Sequence, residues 1–232
     1  MSTILECKAL RKRYGAKEAL CDVDLTLESG HIVGLLGPNG SGKTTLIKLA
    51  CGLLTPTAGA ILVDGSNPSK ETKAVVSYLP ERMALPAWMT AKQAMDYYQD
   101  FYADFRRYAA EDMLEKLGLE EKQTIRSMSK GTREKLQLIL VMSRGAKLYL
   151  LDEPIGGVDP ATRDYILKTI IANYSEDATV LISTHLISDV EQVLDEVVFL
   201  REGSVMLHKS VDAIREEEGK SVDELFRQVF AY

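Results

Sequence analysis

One stretch of nine residues limits what this chain can fold into more than any other feature. Residues 37–45 read Gly-Pro-Asn-Gly-Ser-Gly-Lys-Thr-Thr, which matches the pattern G-x-x-x-x-G-K-[ST] of a phosphate-binding loop. The apolar run at residues 32–36, just before the loop, predicts a buried strand. The apolar residues just after it have helical spacing: Leu46, Leu49, Ala50 and Leu53. The loop therefore joins a strand to a helix, which is the context that phosphate binding requires.

The residue types of the loop explain how it would hold a phosphate. Its glycines let the backbone turn tightly and bring N–H groups close to a ligand. The start of the following helix adds free N–H donors and the positive end of a dipole. Lys43 would reach the β- and γ-phosphates, and the Thr44 hydroxyl would ligate Mg²⁺. We expect the whole loop to contact the nucleotide: Gly37, Pro38, Asn39, Gly40, Ser41, Gly42, Lys43, Thr44 and Thr45.

Length and composition exclude several classes of protein. The 232 residues suffice for one large or two small domains, and the net charge of -6 argues against a nucleic-acid surface. No apolar run approaches the roughly 18 residues that a membrane-spanning helix needs. The N-terminus lacks the plan of a signal peptide. The three cysteines show no CxxC spacing, which favours free thiols in a reducing cytoplasm over disulfides or zinc.

The pattern of apolar residues changes twice along the chain. Residues 2–36 show strand patterns, loose at Ile4, Cys7, Ala9 and Leu10 and regular at Val23, Leu25 and Leu27. Further strands are predicted at residues 59–64 and 73–79. From about residue 86 to 145 the pattern is helical, with helices predicted at 90–105, 107–117 and 131–145. We predict a nucleotide-binding α/β core, residues 1–85 and 146–232, interrupted by this helical subdomain.

The last third of the chain returns to alternating strands and helices. Strands are predicted at residues 148–151, 179–184 and 196–200, and Asp159-Pro160 predicts the start of a helix that runs to Tyr174. The final helix begins with the capping box Ser221-Val-Asp-Glu224. Its apolar stripe is typical of core packing, and contact with another subunit is the alternative: Val222, Leu225, Phe226, Val229 and Phe230.

Two carboxylates follow the strand at residues 148–151. Asp152 and Glu153 would lie at the carboxyl edge of the sheet, where open α/β sheets bind their ligands. Asp152 fits a residue that holds Mg²⁺ through water, and Glu153 fits a general base for an attacking water. A solvated pair at a strand end is the alternative, and the phosphate loop upstream argues against it.

Two weaker signals point to the same ligand. His185 ends another predicted buried strand, which directs it toward the same sheet edge, although a lone histidine is more often structural. Ser129-Lys-Gly-Thr-Arg133 precedes the helix predicted at 131–145 and would leave a second helix N-terminus with free N–H groups. This segment is therefore a second candidate anion site.

Taken together, the motifs resemble those of the ATP-binding cassette of ABC transporters, and the resemblance covers almost the whole chain. In chain order they are the A-loop with Tyr14, the Walker A loop at 37–45, the Q-loop at 77–81, the signature at 128–132, the Walker B carboxylates Asp152 and Glu153, the D-loop at 156–159 and the switch histidine His185. The implied fold is α/β, a P-loop NTPase core with an antiparallel β subdomain and an inserted α-helical subdomain.

The resemblance implies an Mg²⁺-dependent ATPase that works as a dimer. Two cassettes would pair head to tail around two ATP molecules, so that Ser129 and Gly131 contact the γ-phosphate bound by the other copy. Asp159 of the D-loop would also border the nucleotide, and the Tyr14 ring would stack on adenine. The metal ligands would be Thr44, Glu81 and Asp152, and the catalytic residues would be Lys43, Glu153 and His185.

The sequence departs from the family pattern at several of these positions. Glu81 replaces the usual Q-loop glutamine, and its carboxylate can still ligate Mg²⁺ while adding negative charge. The signature has Met128, Lys130 and Thr132 in place of leucine, glycine and glutamine, and Gly156 replaces the serine that usually opens the D-loop. These variants resemble the cassettes of export-type transporters that are encoded as separate subunits.

The resemblance therefore implies a cytoplasmic ATPase subunit, peripheral on the inner face of the cell membrane, that drives a separate membrane-spanning permease. The apolar segment at residues 83–89, which includes Trp88, would either dock that permease or pack within the helical subdomain. Two alternatives remain, a soluble ABC ATPase of an assembly complex, as in the iron–sulfur machinery, and a non-catalytic regulatory cassette. The second alternative is disfavoured because Lys43, Glu153 and His185 are all present.

Overall fold

The strands form two sheets, one antiparallel and one mostly parallel. The computed structural model describes residues 2–81, 83–156 and 159–230. Within that part of the chain, an antiparallel sheet has the order β2-β1-β4, from β1 (Thr3–Tyr14), β2 (Lys17–Glu28) and β4 (Ala58–Val63). The second sheet contains β3 (Ile32–Leu36), β5 (Val76–Leu79), β6 (Leu148–Asp152), β7 (Thr179–Thr184), β8 (Glu196–Arg201) and β9 (Ser204–Ser210). Its order is β5-β6-β7-β3-β8-β9, parallel except for β9.

The apolar runs correctly identified the central strands of the second sheet. Every residue of β3, β6 and β7 is buried, as expected for parallel strands that are covered on both faces. The regular alternation in β2 is confirmed as well, because Val23, Leu25 and Leu27 all lie in the core. The looser pattern in β1 has a local cause. Ala9 is exposed at a bulge, with φ of 41°, and its N–H donates to Asp24 Oδ1 at 2.8 Å.

The phosphate loop leads into α1 (Lys43–Ala50), as predicted, but this helix is shorter than the apolar spacing suggested. The chain turns at Cys51 and Gly52, where Gly52 has φ of 64°, and Leu53 is 54% exposed beyond the helix. The strand predicted at 73–79 is also partly wrong. Residues before Val76 belong to α2 (Lys70–Val75), which Ser69 and Thr72 start with a reciprocal capping box.

Helices fill the connection between β5 and β6. They are α3 (Ala91–Phe101), α4 (Arg107–Lys116), a short 3-10 helix at Ile125–Ser127, and α5 (Lys130–Met142). Thr90 and Gln93 form the capping box of α3, and Ser129 caps α5. Residues 136–142 of α5 are all buried, which confirms the prediction from their nearly continuous apolar sequence.

Arg144 ties this helical region to the parallel sheet. Its guanidinium is only 2% exposed and pairs with both oxygens of Asp104, at 2.7 and 3.0 Å. It also donates to the carbonyls of Ala74 and Val76 and stacks 3.8 Å from the centre of the Tyr102 ring. A buried charge needs such a complete set of partners. These contacts of Arg144 therefore fix the end of α5 beside β5.

The C-terminal part contains α6 (Pro160–Asn173), α7 (Ile187–Val190), a 3-10 helix at Glu191–Val193, α8 (Val211–Glu218) and α9 (Val222–Phe230). The capping box of Ser221 and Glu224 is confirmed. The apolar stripe of α9 packs on the core of this chain, where Phe226 and Phe230 meet Phe199. Strand β9 and helix α8 were not predicted. Within the described residues, no helix is long and apolar enough to cross a membrane.

Candidate active site

The parallel sheet brings the sequence-predicted groups to one edge. Strands β3, β5, β6 and β7 run in the same direction, so their carboxyl ends lie side by side. The phosphate loop follows β3, Glu81 follows β5, Asp152 and Glu153 end β6, and His185 follows β7. The order of the strands therefore gathers four separate motifs at one edge.

The backbone of the phosphate loop takes conformations that favour glycine. Gly40 and Gly42 have φ of 83° and 111°. A Cβ on Gly42 would lie 2.6 Å from the Ala19 carbonyl oxygen, so the loop also presses against β2. Gly42 precedes α1, and no side chain among the described residues caps that helix start. The N–H groups of its first turn thus remain suited to bind an anion.

Lys43 is held by the loop from which it projects. Its side chain is 6% exposed, and its Nζ donates to the carbonyls of Gly37 at 2.7 Å and Pro38 at 3.2 Å. The same Nζ lies 3.6 Å from Glu153 Oε1. Burial lowers the pKa of Lys43, and the charges of Glu153 and Asp152 oppose that shift. The Lys43 ammonium therefore lies beside the Glu153 carboxylate rather than in solvent.

Asp152 has one satisfied oxygen and one that lacks a partner. Its Oδ1 accepts hydrogen bonds from Thr44 Oγ1 at 3.0 Å and from Ser183 Oγ at 2.7 Å. Its Oδ2 is buried and has no hydrogen-bond partner among the described residues. Burial raises the pKa of Asp152, the two hydroxyl bonds counter the rise, and the charges of Glu153 and Glu81 add to it.

This arrangement fits a hard divalent cation. Mg²⁺ prefers oxygen ligands and is usually held by one or two carboxylates together with substrate phosphates. The free Asp152 Oδ2 and the Thr44 hydroxyl are such oxygens, and Glu81, whose charge helps to raise the pKa of Asp152, lines the same cleft. A cation there would satisfy the buried oxygen, whose burial without a partner is costly.

Glu153 places its carboxylate beside Lys43 and His185. Its φ of 51° lies in the left-handed region, which is uncommon for a residue with a side chain. Its N–H donates to the Ser183 carbonyl at 3.0 Å, and both carboxylate oxygens lie 3.1 Å from His185 Nδ1. The Glu153 side chain is 17% exposed and that of His185 is 43% exposed, so both can reach a bound molecule.

These groups line a cleft of about 740 Å³. Tyr14 lines it with a ring that is 47% exposed, and Glu81 lines it from the end of β5. Of the loop residues, those from Asn39 to Thr45 border the cleft, whereas Gly37 and Pro38 contribute carbonyls to Lys43 instead. Lys130 of the predicted signature also lines the cleft, and further lining residues, which the sequence did not single out, include Lys17, Ala19, Glu134, Gln137 and Leu138.

Besides Gly37 and Pro38, three sequence-predicted residues do not line this cleft. Ser129 is exposed and caps α5 by accepting from the Thr132 N–H at 3.1 Å, and a Cβ on Gly131 would meet open space. Asp159 caps α6 through the N–H and hydroxyl of Thr162. The middle of the predicted D-loop, residues 157 and 158, lies outside the described residues.

The structure also adds two residues to the site. Ser183 bonds to Asp152 and Glu153, and Gln137 Nε2 donates to the Pro80 carbonyl at 2.7 Å, next to Glu81. Both are polar residues inside otherwise apolar, buried stretches. That was the available signal, because a polar group in such a position needs a partner.

Comparison with known proteins agrees with the geometry. A family model described as "ABC transporter" matches residues 20–156. The chain is 32% identical to the ABC transporter ATP-binding protein YtrB of Bacillus subtilis, over 92% of this chain and 74% of that protein. It is 29% identical to the lantibiotic transport ATP-binding protein SrtF of Streptococcus pyogenes, over 96% of each.

A solved structure described as the ATP-binding subunit of an ABC transporter superposes with a TM-score of 0.87. It is 29% identical and covers 98% of this chain and 99% of its own. The predicted α/β fold of a P-loop NTPase is thereby confirmed. Since the family model matches more than half of the chain, the chain belongs to the ABC transporter family as one of its ATP-binding cassettes, and it is an ATPase.

Proposed function

We propose that this cassette hydrolyses Mg²⁺-ATP in a head-to-tail dimer and drives a separate membrane-spanning permease. The observation that supports the dimer is the division of the site. The phosphate loop, Asp152 and Glu153 share one cleft, which Lys130 of the signature also lines, whereas Ser129 and Gly131 on either side of Lys130 do not line it. The exposed start of α5 is then free to cover the γ-phosphate of a second copy, with Asp159 at the edge of the same interface.

Within one copy, each residue has a defined task. The Tyr14 ring stacks on adenine, and residues 37–45 surround the phosphates. Thr44, Asp152 and Glu81 hold Mg²⁺, which when bound neutralises charge that develops on the phosphates. Lys43 donates to the β- and γ-phosphates. Glu153 accepts a proton from the attacking water, and His185 orients that carboxylate and the γ-phosphate.

The dimer is tested by sedimentation of the purified protein with ATP, with ADP and without nucleotide. Hydrolysis is slowed by replacing Mg²⁺ with EDTA, so that ATP persists during the run. We expect dimers with ATP and monomers with ADP or no nucleotide. A protein that hydrolyses ATP at full rate as a monomer at every concentration would contradict the divided site.

We also propose that the permease contacts the segment at residues 83–89. Met89 is buried and packs within the helical region, but the Trp88 ring is 66% exposed. Packing within the helical subdomain thus applies to Met89, and docking of the permease applies to Trp88. Exposed tryptophan is a frequent anchor of protein interfaces. The helical subdomain at about 86–145 is proposed as the unit that carries this contact, at the inner face of the membrane.

Substitution of Trp88 tests the docking surface. Trp88→Arg should prevent co-purification with the membrane subunit while nucleotide binding stays within about twofold of the unmodified protein. Tyr108→Arg is the matched control, because Tyr108 is 84% exposed on α4, away from the segment. Equal recovery of the membrane subunit with both variants would contradict the proposal.

The direction of transport is proposed from the motifs. The variants at Met128, Lys130 and Thr132 resemble those of separately encoded export cassettes, and SrtF is named for lantibiotic transport. We expect the neighbouring genes to encode a polytopic membrane protein. Capture of a soluble scaffold instead would favour an assembly ATPase. No observation on the described residues supports that alternative.

A further inference from the structure

A single buried hydroxyl connects the two carboxylate residues of the site. Ser183 lies in β7 and is fully buried. Its Oγ donates to Asp152 Oδ1 at 2.7 Å, and the Glu153 N–H donates to the same Oγ at 3.2 Å. A hydroxyl has one hydrogen and two lone pairs. Because its hydrogen is used for the carboxylate, the Oγ can only accept from Glu153, and both bonds are fixed in direction.

The register of the sheet explains why Ser183 is in this position. In the parallel ladder between β6 and β7, Asp152 pairs with Ser183. The hydroxyl therefore reaches Asp152 from a neighbouring strand, and its position does not depend on the phosphate loop. Thr44, the other donor to Asp152 Oδ1, belongs to the phosphate loop, where the loop enters the first turn of α1.

These bonds determine which oxygen of Asp152 is available. Both hydroxyls bind Oδ1, so Oδ2 is left buried and without a partner among the described residues. A carboxylate that lost the Ser183 bond would be free to rotate. The free oxygen would then no longer face one fixed direction, and metal binding would have to fix it.

The same hydroxyl also supports the backbone of Glu153. That residue has φ of 51°, a conformation that surrounding structure must maintain. Its N–H is shared between the carbonyl and the Oγ of Ser183, at 3.0 and 3.2 Å. Loss of the Oγ would leave the Ser183 carbonyl as the one acceptor of the Glu153 N–H among the described residues, and the carboxylate position beside His185 would be less well defined.

We propose that Ser183 is a positioning residue of the ATPase reaction, whose one hydroxyl holds Asp152 for the metal and Glu153 for the attacking water. This inference rests on the proposed Mg²⁺-dependent hydrolysis. It concerns a residue that touches neither nucleotide nor cleft, since Ser183 does not line the cleft.

The test compares Ser183→Ala with Ser183→Thr, which keeps a hydroxyl, and with Thr179→Val. Thr179 is a matched control because it is fully buried in the same strand and has the same bonding pattern. Its Oγ1 donates to the Glu28 carbonyl at 3.0 Å and accepts from the Gly30 N–H at 3.2 Å, at the other end of β7.

We expect Ser183→Ala to lower kcat by about 10- to 100-fold and to weaken Mn²⁺ binding about tenfold, with KM for ATP changed less than about threefold. Mn²⁺ binding is measured by electron paramagnetic resonance with a non-hydrolysable ATP analogue. Nucleotide affinity in EDTA should not change. Ser183→Thr should retain most of the kcat and most of the Mn²⁺ affinity. Thr179→Val should lower the temperature of thermal unfolding and change neither quantity.

Two outcomes would overturn the inference. One is a Ser183→Ala protein whose kcat and Mn²⁺ affinity match those of Thr179→Val. The other is an equal loss of kcat and Mn²⁺ affinity in Ser183→Ala and Ser183→Thr, because the threonine variant keeps the hydroxyl. If the alanine variant folds poorly, the threonine variant alone tests the inference. Turnover by the unmodified protein tests the proposed function separately. If that protein hydrolyses Mg²⁺-ATP and the variants do not differ, the Ser183 inference alone is wrong.

Discussion

The two halves of the proposed ATP site differ in how much of their structure the chain itself provides. In the half around the phosphate loop, Lys43 and Asp152 are less than 10% exposed, and loop carbonyls and hydroxyls hold them. In the signature half, Ser129 is exposed, and its hydroxyl bonds to Thr132, one turn away in the same helix. The first half is held in place by contacts within the chain, whereas in the second half Ser129 is exposed and only Lys130 lines the cleft.

Helix α5 combines a buried, anchored end with an exposed end. Its C-terminal half is buried and anchored through Arg144, and its N-terminal residues Ser129 and Lys130 are exposed. The comparison thus predicts large chemical effects from changes in the first half and effects on assembly from changes in the second.

The largest effect should follow removal of the base in the organised half. Glu153→Gln keeps the shape of the side chain but cannot accept a proton from water, so kcat should fall by about 10²- to 10⁴-fold. Nucleotide affinity should change little, because the phosphate contacts come from the loop. Single-turnover hydrolysis and equilibrium binding of a fluorescent ATP analogue measure the two quantities.

Glu202→Gln is the matched control for that experiment. Glu202 is also a glutamate with positive φ, 48°, in the turn between β8 and β9. Its substitution should leave kcat unchanged. If Glu153→Gln retained more than a third of the original kcat, the assignment of the base would be wrong.

The next effect concerns the signature half. Ser129→Arg places a long charged side chain at the exposed start of α5, so it should abolish the ATP-dependent dimer and lower ATPase activity at least about tenfold. Affinity of the monomer for nucleotide should stay within about twofold, because Ser129 does not line the cleft. Sedimentation with ATP and nucleotide titration of the dilute protein provide the measurements.

Ser129→Ala separates two consequences of that change. It removes the N-cap of α5, which costs about 1 kcal/mol, but adds no bulk. The alanine variant should therefore still dimerise, although its helical region unfolds more easily. Loss of nucleotide binding by monomeric Ser129→Arg would show that the two halves are not separate.

Sequence patterns identified groups whose role depends on local structure. The loop at 37–45, the carboxylates Asp152 and Glu153, and the capping box of α9 each follow from residues adjacent in the chain. Buried strands β3, β6 and β7 were predicted for the same reason. The assigned roles of the loop residues, the carboxylates and the signature toward ATP stay predictions until the variants are measured.

The residues that sequence patterns missed depend on distant partners. Ser183 gains its position from strand register, and Gln137 from packing against the end of β5, and neither is visible in a local pattern. Helix α2 and strand β9 are short or half-exposed, so their apolar periodicity is weak. Leu53 was assigned to α1 from spacing alone, while the Gly52 turn ended the helix earlier.

A smaller effect should come from the contact that joins the two halves. Gln137 of α5 donates to the carbonyl of Pro80, the residue before the proposed metal ligand Glu81. Gln137→Leu suits the apolar helix but leaves that carbonyl without its donor. We expect a two- to fivefold increase in the Mg²⁺ concentration for half-maximal ATPase activity, the scale of about 1 kcal/mol for one hydrogen bond.

Gln137→Glu checks the cause, because it keeps the side-chain size and replaces the donor by an acceptor. It should raise the Mg²⁺ requirement at least as much as the leucine variant. An unchanged requirement in both variants would mean that α5 and the proposed metal ligand act independently.

The smallest change tests whether the organised half stays closed without ligand. Cys51 follows the last residue of α1, the helix that begins at the phosphate loop, and burial raises the pKa of its thiol to about 12, with the Asp152 charge adding to the rise. Cys7 is similarly buried, with a pKa of about 12, whereas Cys21 is half-buried. A raised pKa leaves little thiolate at pH 8, about one part in 10⁴ for a pKa near 12.

In native protein at pH 8, a disulfide reagent should therefore modify Cys21 well before Cys51. Equal rates at Cys21 and Cys51, in a folded protein whose Cys7 stays protected, would show that the packing around α1 opens without a ligand. The contrast between a closed half and an open half would then be one of degree.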